Sequence, residues 1–327
     1  MSDVSRSGFG NSTHSFEVSL MNIRFRGYLV MAALAAVFVT GNARSSQGGP
    51  VAPLANFSLV ASYPSLGLLP GGGGNPANFS DIAYNYDTST LFIIDNGNQD
   101  VYEYSTTGTP LRRIVGSGQL DTEGIAYMGS SKFAIIEEGV KDISIVNIGP
   151  STTSFSKGGA LQVIVPSAPA GNLANTGFEG ITYDSKNNQF YVVKEKSSRQ
   201  VYQVANSGTS TLLSTVTTAV TGTGVTDLSG VYFDNSPGGH LYILSDESNR
   251  VVEVGLDGTV HAQLTVAGTQ PEGITFTPDG LNMFILGEQR ELYHYQASPV
   301  PEPGTLTLAG IGCAIGFIAA WRRRWHA

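Results

Sequence analysis

Between residues 79 and 296 the chain alternates short apolar runs with clusters of Gly, Asn, Asp and Pro, and the alternation itself recurs. The recurring unit opens on an acidic or small polar residue, then Gly, then a run of apolar residues with period 2. It reads Glu123-Gly124-Ile125-Ala126-Tyr127, Glu179-Gly180-Ile181-Thr182-Tyr183, Ser229-Gly230-Val231-Tyr232-Phe233 and Glu272-Gly273-Ile274-Thr275-Phe276. A weaker copy, Ser80-Asp81-Ile82-Ala83-Tyr84, carries Asp81 where the others have Gly. After each copy comes a turn-rich stretch and a second apolar run, such as Leu91-Phe92-Ile93-Ile94 or Leu241-Tyr242-Ile243-Leu244. Two β-rich runs separated by turn residues predict a hairpin.

A third period-2 run follows in every unit, as in Val201-Tyr202-Gln203-Val204. A fourth follows in all but the last, as in Leu111-Arg112-Arg113-Ile114-Val115. Four short antiparallel strands repeated every ~40 to 50 residues are the signature of β-propeller blades. The predicted fold is therefore all-β, a five-bladed β-propeller over residues 57–296, with six blades as the alternative. The last unit lacks a fourth strand after Tyr295. The segment Phe57-Ser58-Leu59-Val60-Ala61-Ser62-Tyr63 has strand character and no unit of its own. This N-terminal strand is expected to complete the last blade, closing the ring and protecting its edges.

The flanks have other patterns. Residues 1–43 read as an N-terminal extension and signal peptide: Arg24 and Arg26, an apolar stretch from Tyr28 to Val39, then Gly41-Asn42-Ala43. That is the layout of a secretory signal helix cleaved after Ala43, with Met21 a possible alternative start. An N-terminal membrane anchor is the competing reading, disfavoured by the shortness of the run. Residues 44–56 and the run Gly71-Gly72-Gly73-Gly74 read as linker and loop. Residues 299–327 combine Pro301-Glu302-Pro303, an apolar segment over 305–321 that predicts a transmembrane helix, and Arg322-Arg323-Arg324. This tripartite tail resembles the PEP-CTERM sorting signal of Gram-negative, exopolysaccharide-producing bacteria. The resemblance implies export across the inner membrane, an exosortase-type enzyme as partner, processing near Pro301-Glu302-Pro303, and a final place at the envelope, cell surface or outside. A plain tail anchor is the alternative.

Composition narrows the partners. Charged residues make up 13% and the formal net charge is −8. The arginines at both termini lie outside the propeller, so its body is more acidic still, which excludes nucleic acid as a natural partner. Cys313, the single cysteine, lies in the apolar tail, so no intramolecular disulfide is available. A monomer is expected.

The chemistry sits at the strand ends. In a propeller blade the start of the first strand and the end of the second share one face of the ring. Those positions hold Ser80, Glu123, Glu179, Ser229 and Glu272 at the starts, with Asp121 and Asp227 just before them. At the ends stand Asp95, Glu137 and Glu138, Glu195, Asp246 and Glu247, and Glu288. Every blade is thus expected to aim acidic side chains at one end of the axis. Gathered carboxylates repel unless protonated or neutralised, and Ca²⁺, which takes about six to eight oxygens, is the expected remedy. The expected ligands are Glu123, Glu179, Asp227 and Glu272, supplemented by Glu138, Glu195, Asp246 and Glu288. Binding of these acids to neighbouring backbone or water is the alternative. The stretch from Asp95 to Asp100 lacks EF-hand spacing and reads as a turn. His240, His261 and His294 fall on outer strands and share no motif with Ser and Asp, which excludes a catalytic triad.

These same blocks, Asp121-Thr122-Glu123-Gly124-Ile125, Gly177-Phe178-Glu179-Gly180-Ile181, Asp227-Leu228-Ser229-Gly230-Val231, Ser245-Asp246-Glu247-Ser248-Asn249-Arg250 and Gln270-Pro271-Glu272-Gly273-Ile274, resemble those of the SdiA-regulated β-propeller family. The resemblance implies a five-bladed ring, distantly similar to NHL-type repeats, with bound Ca²⁺ and no settled activity. Asp81 and Gly287-Glu288 depart from the family pattern. The function expected is an exported Ca²⁺-binding propeller acting as a binding or structural module of the envelope or exopolysaccharide matrix, toward an unknown ligand there. The alternative is a Ca²⁺-dependent hydrolase of phosphoesters or lactones, as in similar-looking propellers; Lys194 and Arg199 could then meet an anionic substrate, although solvated loop charges are the simpler reading of both.

Overall fold

The structure is a computed structural model that describes residues 50–69, 78–119, 121–168, 177–196 and 198–298. The expected signal helix, Ala43, the glycine run, Pro301-Glu302-Pro303 and the expected tail helix lie outside the described residues. Among the described residues no helix is long and apolar enough to cross a membrane.

Strand β1 (Phe57–Tyr63) leads into four consecutive strands, β2 (Phe79–Asn85), β3 (Thr90–Asp95), β4 (Val101–Tyr104) and β5 (Pro110–Ile114), which form blade 1. Blade 2 is β6 (Thr122–Gly129), β7 (Lys132–Glu137), β8 (Ile143–Asn147) and β9 (Gln162–Ile164). Blade 3 is β10 (Phe178–Asp184), β11 (Gln189–Lys194), β12 (Gln200–Ala205) and β13 (Ser210–Leu212). A short helix, α1 (Ser214–Gly222), precedes blade 4: β14 (Gly230–Phe233), β15 (His240–Ser245), β16 (Arg250–Gly255) and β17 (Val260–Thr265). Blade 5 has β18 (Pro271–Phe276), β19 (Asn282–Gly287) and β20 (Glu291–Ala297), and β1 pairs antiparallel with β20 as its fourth strand. The five-bladed reading and the closure by the N-terminal strand both hold.

The turns follow from local side chains. Asp184 accepts from the amides of Lys186 (3.0 Å) and Asn187 (3.2 Å), and Asn85 accepts from that of Asp87 at 2.9 Å. Such Asx turns reverse the chain between first and second strands. Helix α1 is the element that periodicity did not predict. Its sequence, STVTTAVTG, is rich in β-branched residues, which favour strands. Val216 and Val220, four residues apart, are buried against blades 3 and 4, and that burial overrides the propensity.

The core is divided among the blade interfaces, and five buried clusters alternate with the five sheets. Aromatic pairs span several of the gaps: Phe92 and Phe133 stand 4.5 Å apart, Tyr191 and Phe233 4.7 Å, and Tyr232 and Phe276 4.8 Å. The first and second strands bury both their faces, as the patterns of β2 and β3 illustrate, whereas outer strands such as β17 alternate. This explains why the first and second strands read as near-continuous apolar runs.

The inner strands meet at the axis. The residues there are Asp81, Gly124, Gly180, Gly230 and Gly273. A side chain at Gly180 would begin 2.8 Å from the Cα of Gly230, and one at Gly124 would begin 2.6 Å from the carbonyl oxygen of Glu179, so the ring can close only on glycine. The space left over takes one side chain, that of Asp81. Its carboxylate accepts from the amides of Ile82 (2.8 Å) and Ile125 (2.9 Å), and also from that of Ile181. Thr275 and Thr182 do the same for the amides of Tyr84 (3.0 Å) and Phe233 (3.1 Å). Beyond Asp81, tyrosines 84, 86, 127 and 232 close the far end, leaving a void of about 20 Å³, room for roughly one water. The axis is a plugged seam and not a pore.

Replacing Asp81 with Ala leaves buried amides on three blades without their acceptor. The expected loss is at least about 2 kcal/mol of unfolding free energy by urea titration, and Asp81→Asn, which keeps an acceptor oxygen, costs less. An Ala variant as stable as the parent would remove Asp81 from the role of axial plug.

Candidate metal centre

Four of the inner strands carry a register irregularity at the same place. Pairing jumps between Phe79 and Asp81, between Thr122 and Gly124, between Phe178 and Ile181, and between Pro271 and Gly273. The unpaired residues include Ser80, Glu123, Glu179 and Glu272. A bulge adds one residue to one strand and re-aims its side chain. Here it turns each of these residues toward the mouth of the axis, where they line a common cavity. Blade 4 has no such irregularity, and its Ser229 hydroxyl donates to the Pro271 carbonyl at 2.8 Å instead.

A second tier comes from the residues just after the second strands. The amides of Asn96 (2.9 Å), Glu138 (2.9 Å) and Glu288 (3.0 Å) donate to the carbonyls of Asn78, Asp121 and Gln270. That repeated bond fixes where the next side chain points. Glu138 and Glu288 thereby reach the same cavity, of about 230 Å³, which Glu195 and Asp246 also line; the Asp246 amide donates instead to the Asp227 carboxylate. Asp121 holds its place with φ at +65°, a left-handed conformation that Asp tolerates. Glu138 needs Gly177 beside it: a Cβ there would start 2.2 Å from its Cγ, and the Gly177 amide donates to its Oε1 at 2.9 Å.

Seven of the eight acids expected at the axis therefore share one cup, namely Glu123, Glu138, Glu179, Glu195, Asp246, Glu272 and Glu288. Asp227 does not line it. It is fully buried, and its carboxylate accepts from the Ser245 hydroxyl and from the amides of Asp246 (3.1 Å) and Glu247 (3.2 Å), holding the loop that presents Asp246. The expectation that every blade contributes an acid is corrected for blade 1. Asp95 turns sideways, accepting from the amides of Asn78 (3.0 Å) and Gly97 (2.9 Å), so blade 1 offers Asn78, Ser80 and Asn96 to the cup. Glu137 is likewise drawn away, to Lys157 at 2.6 Å.

Burial and mutual repulsion dominate the electrostatics. Burial pushes Glu272 from 4.5 to about 9, and Asp246, Glu288, Glu123 and Glu195 push the same way. Glu123 rises to about 8 chiefly through burial, although the Ser80 hydroxyl pulls it back; Asn96 also donates to it. Glu179 is raised well above its ordinary range, by burial first and then by Glu123, Glu138, Glu195 and Glu272. Asp246 rises from 3.8 to about 8, by burial and then through Asp227. Among the described lining residues the one cation is Lys196, whose ammonium lies 2.5 Å from Glu195 and 3.2 Å from Glu247. No sequence pattern singles out Lys196; Lys194, which with Arg199 reads in sequence as either a solvated loop charge or a contact for an anion, is buried and lines neither the cup nor the groove beside it.

The donor set fits a hard cation. Carboxylate oxygens of Asp121, Glu123 and Glu138 all lie within 4.8 Å of one another, with Glu179 and Glu272 in the same cavity. One oxygen of Asp246 is buried without a hydrogen-bond partner. An all-oxygen, flexible, multiply charged cup matches Ca²⁺ better than zinc, whose sites are built around Cys and His with at most a carboxylate or two. The described histidines are elsewhere: His240 stacks on His261 at 4.2 Å and meets Glu253 at 2.8 Å, while His294 stacks on Phe284 at 4.6 Å.

The ring with its carboxylate mouth defines a five-bladed β-propeller with an axial acidic centre. Residues 73–296 match the SdiA-regulated family, and the chain belongs to it. Residues 299–324 match the PEP-CTERM protein-sorting motif, which marks the protein for export and for sorting to the envelope or surface of a Gram-negative bacterium by an exosortase-type enzyme. Two solved structures align with the propeller. One is a luciferin-regenerating enzyme, at 10% identity and a TM-score of 0.44, covering 70% of this chain and 93% of that one. The other is virginiamycin B lyase from Staphylococcus aureus, at 14% identity and a TM-score of 0.39, covering 70% and 69%. At those scores neither likeness bears on what this chain does.

An acid whose folded-state pKa is raised binds its proton more tightly folded than unfolded. The stability it contributes is whole below its ordinary pKa and is lost as pH rises through the folded value. The chelator-treated protein is therefore expected to lose stability progressively from about pH 3.8, where Asp246 would ordinarily ionise, to about 9, tracked by melting temperature, as Asp246, Glu123 and Glu272 ionise. A flat profile over that window would show that the cup is not electrostatically strained.

Proposed function

We propose that this exported SdiA-regulated propeller binds Ca²⁺ in the axial cup and serves as a binding or structural module of the cell envelope or exopolysaccharide matrix. One observation carries the reading: seven carboxylates share a cavity of about 230 Å³ with a single lysine among its described lining. Asp121, Glu123 and Glu138 would hold the ion on the blade 2 wall, with Glu179 and Glu272 facing it. The cation would neutralise charge that burial otherwise drives toward protonation. It would also tie acids on blades 2, 3 and 5 to one point, bracing the ring. The tail's sorting motif supports the envelope or surface as the place of action.

Hydrolysis of a phosphoester or lactone is the second reading, favoured by the position of Lys196 on the cup wall, where an anionic group could meet it. Bound Ca²⁺ would supply Lewis-acid polarisation of such a group. Lys196 would orient it, and the buried glutamates would hold or take up a proton.

Calcium titration followed by calorimetry separates these outcomes. At one hundred times its Kd the ion is expected to stabilise the protein by about 2.7 kcal/mol. Glu123→Gln and Glu179→Gln are expected to weaken it about tenfold or more. A melting temperature that neither Ca²⁺ nor chelator changes would end the metal reading. Ca²⁺-dependent turnover of a phosphoester or lactone, lost in Glu179→Gln, would replace the module with an enzyme.

A further inference from the structure

Beside the cup lies a second cavity, of about 480 Å³, whose chemistry is the reverse of its neighbour's. Two cations, Lys196 and Arg199, stand in its wall, and no carboxylate and no aromatic ring is among its described lining residues. The rest is hydroxyl: Ser198 from the loop after β11, Thr226 before β14, and Thr217, Thr218 and Thr221 along one face of α1. Lys196 lines both cavities.

Several of these groups have hydrogen-bonding capacity left over. Arg199 presents up to five donors, and one goes to the Val225 carbonyl. Lys196 has three donors, with Glu195 and Glu247 as its two carboxylate partners. The hydroxyls of Ser198 and Thr218 have no hydrogen-bond partner among the described residues, whereas Thr217 and Thr221 serve the backbone of Val201 and of the helix. Threonine is a poor helix former, so α1 sacrifices helix propensity on the face that carries these hydroxyls. Its apolar face, Val216 and Val220 with Ala219 beside them, does the apolar packing. In a chain of net charge −8, a groove lined only by cations and hydroxyls is a local inversion.

We propose that this groove binds an anionic saccharide, a sugar bearing carboxylate or phosphate. A guanidinium fork suits the planar or tetrahedral oxyanion. Hydroxyl-rich walls suit the ring hydroxyls of a sugar, and the absence of aromatic lining weighs against a stacked nucleobase. The volume is in the range of pockets that enclose small ligands, about 300 to 1,000 Å³. This site is independent of the metal, although Lys196 sets it edge to edge with the cup, so that one charged chain could touch both.

The test is isothermal titration of the full chain in mild detergent with trigalacturonate, glucose 1-phosphate and, as the neutral control, maltotriose. Each is run in chelator and again in Ca²⁺, on the parent and on Arg199→Gln, Arg199→Lys and Thr218→Val. The expected result is binding of an anionic probe in both media, weakened about tenfold or more by Arg199→Gln, less by Arg199→Lys, and measurably by Thr218→Val on the exposed helix face. Ca²⁺ affinity, titrated separately, stays unchanged in the Arg199 and Thr218 variants. The arm that binds tells carboxylate from phosphate. No anionic binding, equal binding of maltotriose, or binding indifferent to both Arg199→Gln and Thr218→Val would each overturn the proposal. Loss of Ca²⁺ binding by the parent, with probe binding in chelator intact, would instead overturn the metal reading and leave the groove standing.

Discussion

Five sheets that converge on one line must each present an inner edge, and that edge carries backbone amides with no strand beyond to receive them. The whole ring depends on how those amides are satisfied in a space too narrow for side chains. Four glycines allow the approach, and Asp81 fills the remainder with a carboxylate that collects amides from blades 1, 2 and 3. Thr182 and Thr275 serve the next pair of gaps. Burial lifts the Asp81 carboxyl well above its usual range, and the amides only partly offset that. The plug therefore stands as an acceptor within a desolvated seam, a costly group whose removal costs more because its partners would be orphaned.

The cup follows from the same convergence. Inner strands that approach so closely cannot carry side chains at the axis, so the residue before each glycine is the first that can face the opening. A bulge in four blades makes it do so. The loops after the second strands add the second tier, held by a repeated backbone bond in blades 1, 2 and 5 and by the Asp227 carboxylate in blade 4. Like charges are thus concentrated by the geometry of the ring, against the electrostatic preference of each group. Structural stability by itself gives no reason to keep such an arrangement; a cation or a proton must offset it.

Next to this anionic mouth the fold inserts its single described α-helix, and the two surfaces meet at Lys196. A ring that presents an acidic cup and a groove of cations and hydroxyls side by side offers two surfaces of opposite charge, both rich in polar groups. That chemistry suits a protein bearing a surface-sorting motif.

The ring was legible in the sequence because a blade is a local repeat: period-2 runs, Asx turns and Gly positions recur whether or not the blades are seen to touch. Strand β1 was legible by subtraction, as the one strand without a unit. The candidate ligands Glu123, Glu179 and Glu272 were legible because each stands before a repeated glycine. Asp95 and Asp227 read the same as their neighbours in one dimension, and only the folded loops show that their carboxylates are consumed by nearby amides. Lys196, α1 and the groove left no periodic signal, since each occurs once and depends on a neighbouring blade for its surroundings. Sequence determines what each strand can bury, because alternation is a property of the strand itself. Tertiary structure alone decides which acids face one another, because that depends on bulges and turns whose geometry is set by contacts between blades.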